Sequence, residues 1–175
     1  MTPNQSRSIF SKIPGTLTTT ITGITPEEIE WANSIGVKYG GVGTAGGVGN
    51  KGDAARHVAL GYLAAVADER RGYAGEWTKN LVQLKEYAQQ TGTRRNIDSN
   101  MDRHNNAIGF ELQGIAGDNL KDFEDLLDNA MQNTVQVQSV NDMPFSDYRN
   151  LKPVYIQEGY RLYKGGASAD PSKGN

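Results

Sequence analysis

The stretch Val58-Ala-Leu-Gly-Tyr-Leu-Ala-Ala-Val-Ala67 decides the fold, because nine of its ten residues are apolar. A helix that is apolar all round is buried all round, so this segment is expected to be the central helix. Its Val58, Leu60, Leu63 and Val66 should all be largely inaccessible. It is about half as long as a membrane span and Gly61 interrupts it, so no transmembrane segment is expected. Asp53 is placed to open the helix as its N-cap, its carboxylate taking a main-chain N–H of the first turn. Asp68, Glu69, Arg70 and Arg71 are expected to end it in water.

Upstream, Gly40 to Gly52 holds seven glycines, a density at which no regular element survives. Within it, Gly41-Val-Gly43-Thr-Ala-Gly46 matches G-x-G-x-x-G. A dinucleotide site needs a strand before that motif and a helix opening on its third glycine. Here a helix precedes it, the next helix opens only at Asp53, and no Gly-Lys-Ser/Thr occurs. No nucleotide cofactor is therefore expected, and the stretch reads as a flexible loop or a lid over a site. The preceding helix starts at Thr25-Pro-Glu-Glu28. Thr25 caps, Pro26 takes the first helical position and Glu28 closes a capping box. It carries Ile29, Trp31, Ala32 and Ile35 and is expected to stop near Gly36. Residues 1–24 are rich in Ser, Thr and Pro and read as a loosely attached arm, with a strand at Gly15–Gly23 as the alternative.

Downstream, Trp77, Leu81, Leu84 and Ala88 step by four, three and four, giving one apolar face of a helix from about Glu76 to Gln90. Met101, Asn105, Ile108, Leu112 and Ile115 do the same for a helix from about Asn100 to Gln113. Gly117-Asp118 restarts the chain into a helix with Leu120, Phe123, Leu127, Ala130 and Met131 inward. From Thr134 to Val140 the period changes to two, as in a strand. Lys152 to Lys164, with three tyrosines around Glu158-Gly159, reads as a hairpin or an extended edge. Gly165 to Asn175 reads as a disordered tail. The fold class is mainly α: about five helices around a central helix at about 53–68, with a minor extended or β part near the C-terminus. One helical domain is expected over 25–164.

Composition narrows the function classes. The 175 residues suit one domain. Hydrophobic residues make up 37 %, and the mean hydropathy of −0.59 points to a modest core with long wet loops. Eighteen basic against twenty acidic residues argue against a broad nucleic-acid surface. No basic N-terminus leads into an apolar run, so no secretory signal is visible. The absence of cysteine excludes disulfides, thiolate metal sites and cysteine nucleophiles. The two histidines, His57 and His104, exclude a site needing three.

Two segments concentrate awkward polar residues. In Asp53-Ala-Ala-Arg56-His57, the imidazole lies in the first turns of a helix expected to be buried. The positive helix end disfavours imidazolium, so a neutral ring is expected unless a carboxylate offsets that. Such a ring must satisfy one donor and one acceptor, as a core hydrogen-bonder, a metal ligand or a general base. In Asp98-Ser-Asn100-Met-Asp102-Arg-His104-Asn105-Asn106-Ala-Ile-Gly109, the D-x-N-x-D opening suggests a calcium loop. Arg103 and Gly109 stand where that loop needs its glycine and its last carboxylate, so a helix–loop–helix calcium site is excluded. As a helix the segment puts Asp102, Asn105, Asn106 and Gly109 on one side. Burying an amide without partners costs on the order of 1–3 kcal/mol. Asn105, within the apolar stripe, must therefore hold something specific: a structural network between two helices, or a site. Glu86 points inward or outward, a solvated helix carboxylate being the simpler reading.

The pairing of Asp53-Ala-x-Arg56-His57 on one helix with Met101-Asp102-x-x-Asn105-Asn106-x-x-Gly109 on a later one resembles an uncharacterised bacterial domain. That domain occurs in secreted proteins and in C-terminal modules of large polymorphic toxins and cell-surface proteins. Its pattern is a D-A-x-R-H helix, a helix bearing Ala-His-Glu, and M-D-x-x-N-N-x-x-G. The resemblance covers about residues 50–115. The first and third motifs fit at every named position. The second reads Leu84-Lys85-Glu86 here, so Glu86 corresponds and the histidine is missing, which weakens any proposal needing two imidazoles at one metal. The resemblance implies a mostly helical bacterial protein, soluble, and exported or injected by a route that uses no N-terminal signal peptide.

Two functional readings follow. In the first, the chain is an effector- or toxin-type hydrolase. Its site is Asp53, His57, Glu86, Asp102, Asn105 and Asn106, in which His57 is general base or metal ligand and Asp102 orients it or binds a cation. Asn105 and Asn106 hold substrate or a developing oxyanion, and Arg56 binds a phosphate or carboxylate or pairs with Asp102. Any metal would be a divalent cation on His57, Glu86 and Asp102. In the second, the same residues form a closed helix–helix network in a non-catalytic module. It binds a protein partner through the glycine loop and the Tyr-rich C-terminal segment. Both readings require the two helices to meet, with His57 against Asn105 and with Gly61 and Gly109 letting the backbones approach.

Overall fold

In the computed structural model, which describes residues 22–40, 50–72, 76–88, 97–137 and 148–156, the apolar stretch forms the middle of α2 (Lys51–Arg70). From Gly52 to Asp68 only Arg56 and Leu60 escape full burial. Around it lie α1 (Pro26–Gly40), α3 (Trp77–Ala88), α4 (Ile97–Ala116) and α5 (Leu120–Gln132). After α5 come β1 (Val135–Val137), a 3-10 turn at Tyr148–Asn150, and β2 (Val154–Ile156). The fold is mainly α. No helix among the described residues is long and apolar enough to cross a membrane.

The caps explain where the helices begin. Thr25 N donates to Glu28 Oε2 at 2.8 Å and Glu28 N to Thr25 Oγ1 at 3.2 Å, the reciprocal box expected at α1. α1 does not stop at Gly36 but runs to Gly40. At Gly36 an added Cβ would press on Arg56 Cβ and Gly52 O, each at 3.2 Å, so the glycine inside the helix serves a close packing of α1 on α2. The cap of α2 is Asn50, whose side chain accepts from Asp53 N at 2.8 Å. Asp53 is thus the third helical residue and not the cap, because an equally good capping residue stands three positions earlier.

Asp68 does not end α2 in water. It is buried and accepts from Thr78 N at 2.6 Å and Lys79 N at 3.1 Å, capping α3 from another helix. That cap sets the rotation of α3. Thr78 is turned fully inside and Val82, one turn on, packs against the core, while Trp77 and Leu84 are 52 % and 58 % exposed. The expected Trp77/Leu84 face is therefore outward. Ile115 and Leu120 are also exposed rather than inward, lying beyond Leu112 and before Phe123, where core packing ends and resumes. Between them Gly117 takes φ +62°, its N–H bonding Gln113 O at 2.8 Å, and Asn119 caps α5.

The core joins α1, α2, α4 and α5. Tyr62 stacks on Phe123 with ring centroids 4.1 Å apart, and Trp31 tilts against both. Burial, aided by the nearby Asp118 carboxylate, pushes the Tyr62 phenol up to about 12. Ile24 is buried in this core and Thr22 O accepts from Thr78 Oγ1 at 2.9 Å, so packing begins before Thr25. β1 and β2 pair in parallel, Val135 opposite Val154 and Val137 opposite Ile156, so the two strands are not a hairpin. The proposed Gly15–Gly23 strand up to residue 21, the glycine motif at 41–46, residues 157–164 and the tail lie outside the described residues.

Candidate functional site at the α2–α4 crossing

The two glycines anticipated as a point of close approach are that point. A Cβ on Gly61 would overlap the main chain of Asn106, and one on Gly109 would overlap the main chain of Val58 and Tyr62. Contact between main chains brings the polar residues one turn N-terminal on each helix, His57 and Asn106, face to face. His57 Nδ1 lies 3.2 Å from Asn106 Oδ1. On its other side, His57 Nε2 is 3.0 Å from Arg56 Nη2, 3.3 Å from Asp102 Oδ1 and 3.8 Å from Asp53 Oδ1. Arg56 bridges back to Asp53, its Nε 3.2 Å from Oδ1 and its Nη2 paired with the same oxygen.

Elementary hydrogen-bond chemistry assigns the imidazole. A guanidinium only donates, so Nε2 must accept from Arg56. The proton of a neutral ring then sits on Nδ1 and is donated to Asn106 Oδ1. The neutral ring expected from the helix end was to hold unless a carboxylate offset it, and here Asp102 and Asp53 lie 3.3 and 3.8 Å from Nε2. One mismatch follows: the Nε2 lone pair also faces the Asp102 carboxylate at 3.3 Å, where a donor would be favoured. Protonating Nε2 would satisfy Asp102 and oppose Arg56. One ring nitrogen cannot serve both neighbours.

Asp53, His57, Asp102 and Asn106 are all buried, and Arg56 is partly open to solvent. Two carboxylates thus stand with a guanidinium and an imidazole in a nearly dry place, where charge is tolerated only when paired. One ligand atom from each of Asp53, His57 and Asp102 lies within 4.8 Å of the others, close enough to share one ion.

Of the residues named from sequence, Arg56, His57, Asp102 and Asn106 meet, and Asp53 joins them. Asn105 is turned elsewhere. Its Nδ2 donates to Val154 O and its Oδ1 accepts from Val154 N, both at 2.9 Å, so the side chain pairs with β2 as a neighbouring strand would. The partner of the imidazole is Asn106, because α4 is buried on two sides and Asn105 lies on the side facing β2. His104 is also on that side, its Nε2 3.1 Å from Lys152 O. Arg56 pairs with Asp53. The Glu86 side chain lies outside the described residues, and α3 carries it at a backbone position only. Asp98, Asn100 and Asp102 stand within a continuous helix and not in a calcium loop. Asp53, expected both as the cap of α2 and as a site residue, is the second and not the first, because Asn50 caps the helix and leaves its carboxylate to the polar centre.

The residues at this crossing fall within a recurring sequence unit. Residues 27–136 match a family described as a domain of unknown function, DUF6973, and the chain belongs to that family. No curated protein and no solved structure matches it.

Proposed function

We propose that the α2–α4 crossing is the functional centre of a small bacterial effector-type hydrolase. The observation that carries this reading is the buried ring of His57, held through Nδ1 by a fully buried amide, with its Nε2 among two carboxylates. A fixed tautomer is what a general base needs, and its Nε2 lone pair becomes available once Arg56 turns away. Asp53 and Asp102 stabilise the imidazolium that forms when Nε2 takes a proton from water. Asn106 positions the ring. Arg56, partly exposed and paired inward with Asp53 in the resting chain, would turn outward to an anionic group of the substrate. The test pairs the wild-type chain with His57→Ala and Asn106→Ala against ester, phosphodiester, peptide and glycan substrates, and scores growth of bacteria expressing each. Turnover or growth inhibition by the wild type, reduced about 100-fold or more in His57→Ala, is the expected result. Equal behaviour of wild type and a folded His57→Ala chain would overturn it.

A second reading is favoured by burial. Asp53, His57 and Asp102 are at most 6 % exposed, as in a network that fixes helix register in a non-catalytic module. Its protein partner would be met by the glycine loop and the Tyr-rich C-terminal segment. An inert wild-type chain whose His57→Ala variant loses only stability would establish this reading.

A further inference from the structure

We propose that Asp53, His57 and Asp102 form a divalent-cation site, and that Arg56 is its built-in, displaceable counter-cation. The inference uses the centre on which the hydrolase reading rests, but it is read by binding and needs no turnover. Three observations carry it. The first is spacing. Around a tetrahedral ion with bonds near 2.1 Å, ligand atoms sit about 3.4 Å apart. His57 Nε2 lies 3.3 Å from Asp102 Oδ1 and 3.8 Å from Asp53 Oδ1, so small side-chain movements close the set.

The second is the conflict at Nε2. With Arg56 in place, the lone pair of Nε2 faces an acceptor in Asp102. An ion at the centre removes the conflict, since imidazole and both carboxylates all present lone pairs to it. The third is the shell behind the ligands. Metal-bound histidines donate their other ring N–H to an oxygen that fixes the tautomer. Asn106 Oδ1 is in that position, and its buried Nδ2 has no hydrogen-bond partner among the described residues.

Arg56 Nη2 touches both Asp53 Oδ1 and His57 Nε2, the place an ion on these ligands would take. Its side chain is 25 % exposed, so it can swing outward as the ion enters. One nitrogen and two carboxylate oxygens suit zinc or manganese, whereas calcium takes six to eight oxygens.

The experiment titrates the full chain, stripped with a chelator, with ZnCl2, MnCl2 and CaCl2 by calorimetry, following each titration by thermal melting. Cobalt is added as a spectroscopic probe of four-coordinate geometry. One zinc or manganese per chain with a raised Tm, and no comparable calcium binding, is expected. Asp102→Asn should abolish binding, and Asn106→Ala should weaken it about 10–100-fold. Arg56→Gln should bind more tightly than the wild type, because the competitor is gone; this variant leaves all three ligands in place. No saturable binding by the wild type, or Arg56→Gln binding more weakly, would overturn the proposal. So would unchanged binding by a folded Asp102→Asn chain. If Asp102→Asn fails to fold, the Arg56→Gln affinity and the cobalt spectrum of the wild type decide. Binding without turnover removes the hydrolase reading alone. Turnover that survives chelation, by a chain that binds no ion, removes the site alone.

Discussion

Gly61 on α2 and Gly109 on α4 meet main chain to main chain: a Cβ on Gly109 would lie 2.9 Å from the carbonyl carbon of Gly61. By helix propensity alone, alanine at either position would stabilise its helix by about 1 kcal/mol. Here it forces the helices apart, and overpacking of that kind costs roughly 1–3 kcal/mol. Gly61→Ala and Gly109→Ala are both expected to lower the urea midpoint. The double variant should lose less than the sum, since one separation relieves both clashes.

The same crossing couples His57 to Asn106. His57→Ala and Asn106→Ala should each destabilise the chain, and a double-mutant cycle should return a coupling well above about 0.5 kcal/mol. The cycle of His57 with Asn105 serves as the control, because Asn105 is bonded to Val154 instead.

Asn105 holds β2 by both main-chain groups of Val154. Asn105→Ala leaves a buried N–H and a buried C=O unmatched, for an expected loss of about 2–4 kcal/mol. Asn105→Asp keeps the acceptor for Val154 N and loses the donor to Val154 O, so its loss should be smaller at a pH where protonation can restore a donor. Hydrogen exchange at the Val154 amide reads the effect directly.

Asp68 is the cap of a helix it does not belong to. Asp68→Ala should cost about 1–2 kcal/mol and raise exchange in the first turn of α3 ahead of the rest. Asp68→Asn, which still accepts, should keep most of the cap.

Lys38 and Tyr39 on α1 both bond the Asp128 carboxylate on α5. The Lys38 bond first, and the Tyr39 hydroxyl second, hold its pKa below the ordinary 3.8. Stability from Asp128 is therefore present above pH 3.8 and lost as pH falls through the lowered value. Burial, then the bond to Asp128, raises Tyr39 from 10.0 to about 12, so its contribution is present below pH 10 and lost toward pH 12. The pair is largely exposed, which limits the gain to about 1 kcal/mol or less. Absorbance titration of the eight tyrosines should show Tyr39 and Tyr62 among the last to ionise, with Tyr39→Phe removing one late step.

What could be read from the residues was what acts within a few positions along the chain. The Thr25–Glu28 box and the apolar run of α2 are local, and both stand in the structure as expected. The rotation of α3 is not local: it depends on Asp68, one helix away, so the Trp77/Leu84 stripe pointed the wrong way. The choice between Asn105 and Asn106 failed for a related reason. A single apolar stripe implies one buried face, but α4 is covered by α2 on one side and by β2 on another. Asn105 and Asn106 serve different neighbours. A three-residue shift of the α2 cap, from Asp53 to Asn50, leaves the Asp53 carboxylate to the polar centre alone.

The parallel pairing of β1 with β2 separates what is inherited from what must fold. The family-matched segment ends at Gln136, inside β1, and begins after Thr25, which completes the α1 box. A fragment cut to that segment would carry the whole α2–α4 crossing, yet leave Asn105 with no strand to hold and β1 without its partner. The recurring unit is thus shorter than the cooperative one.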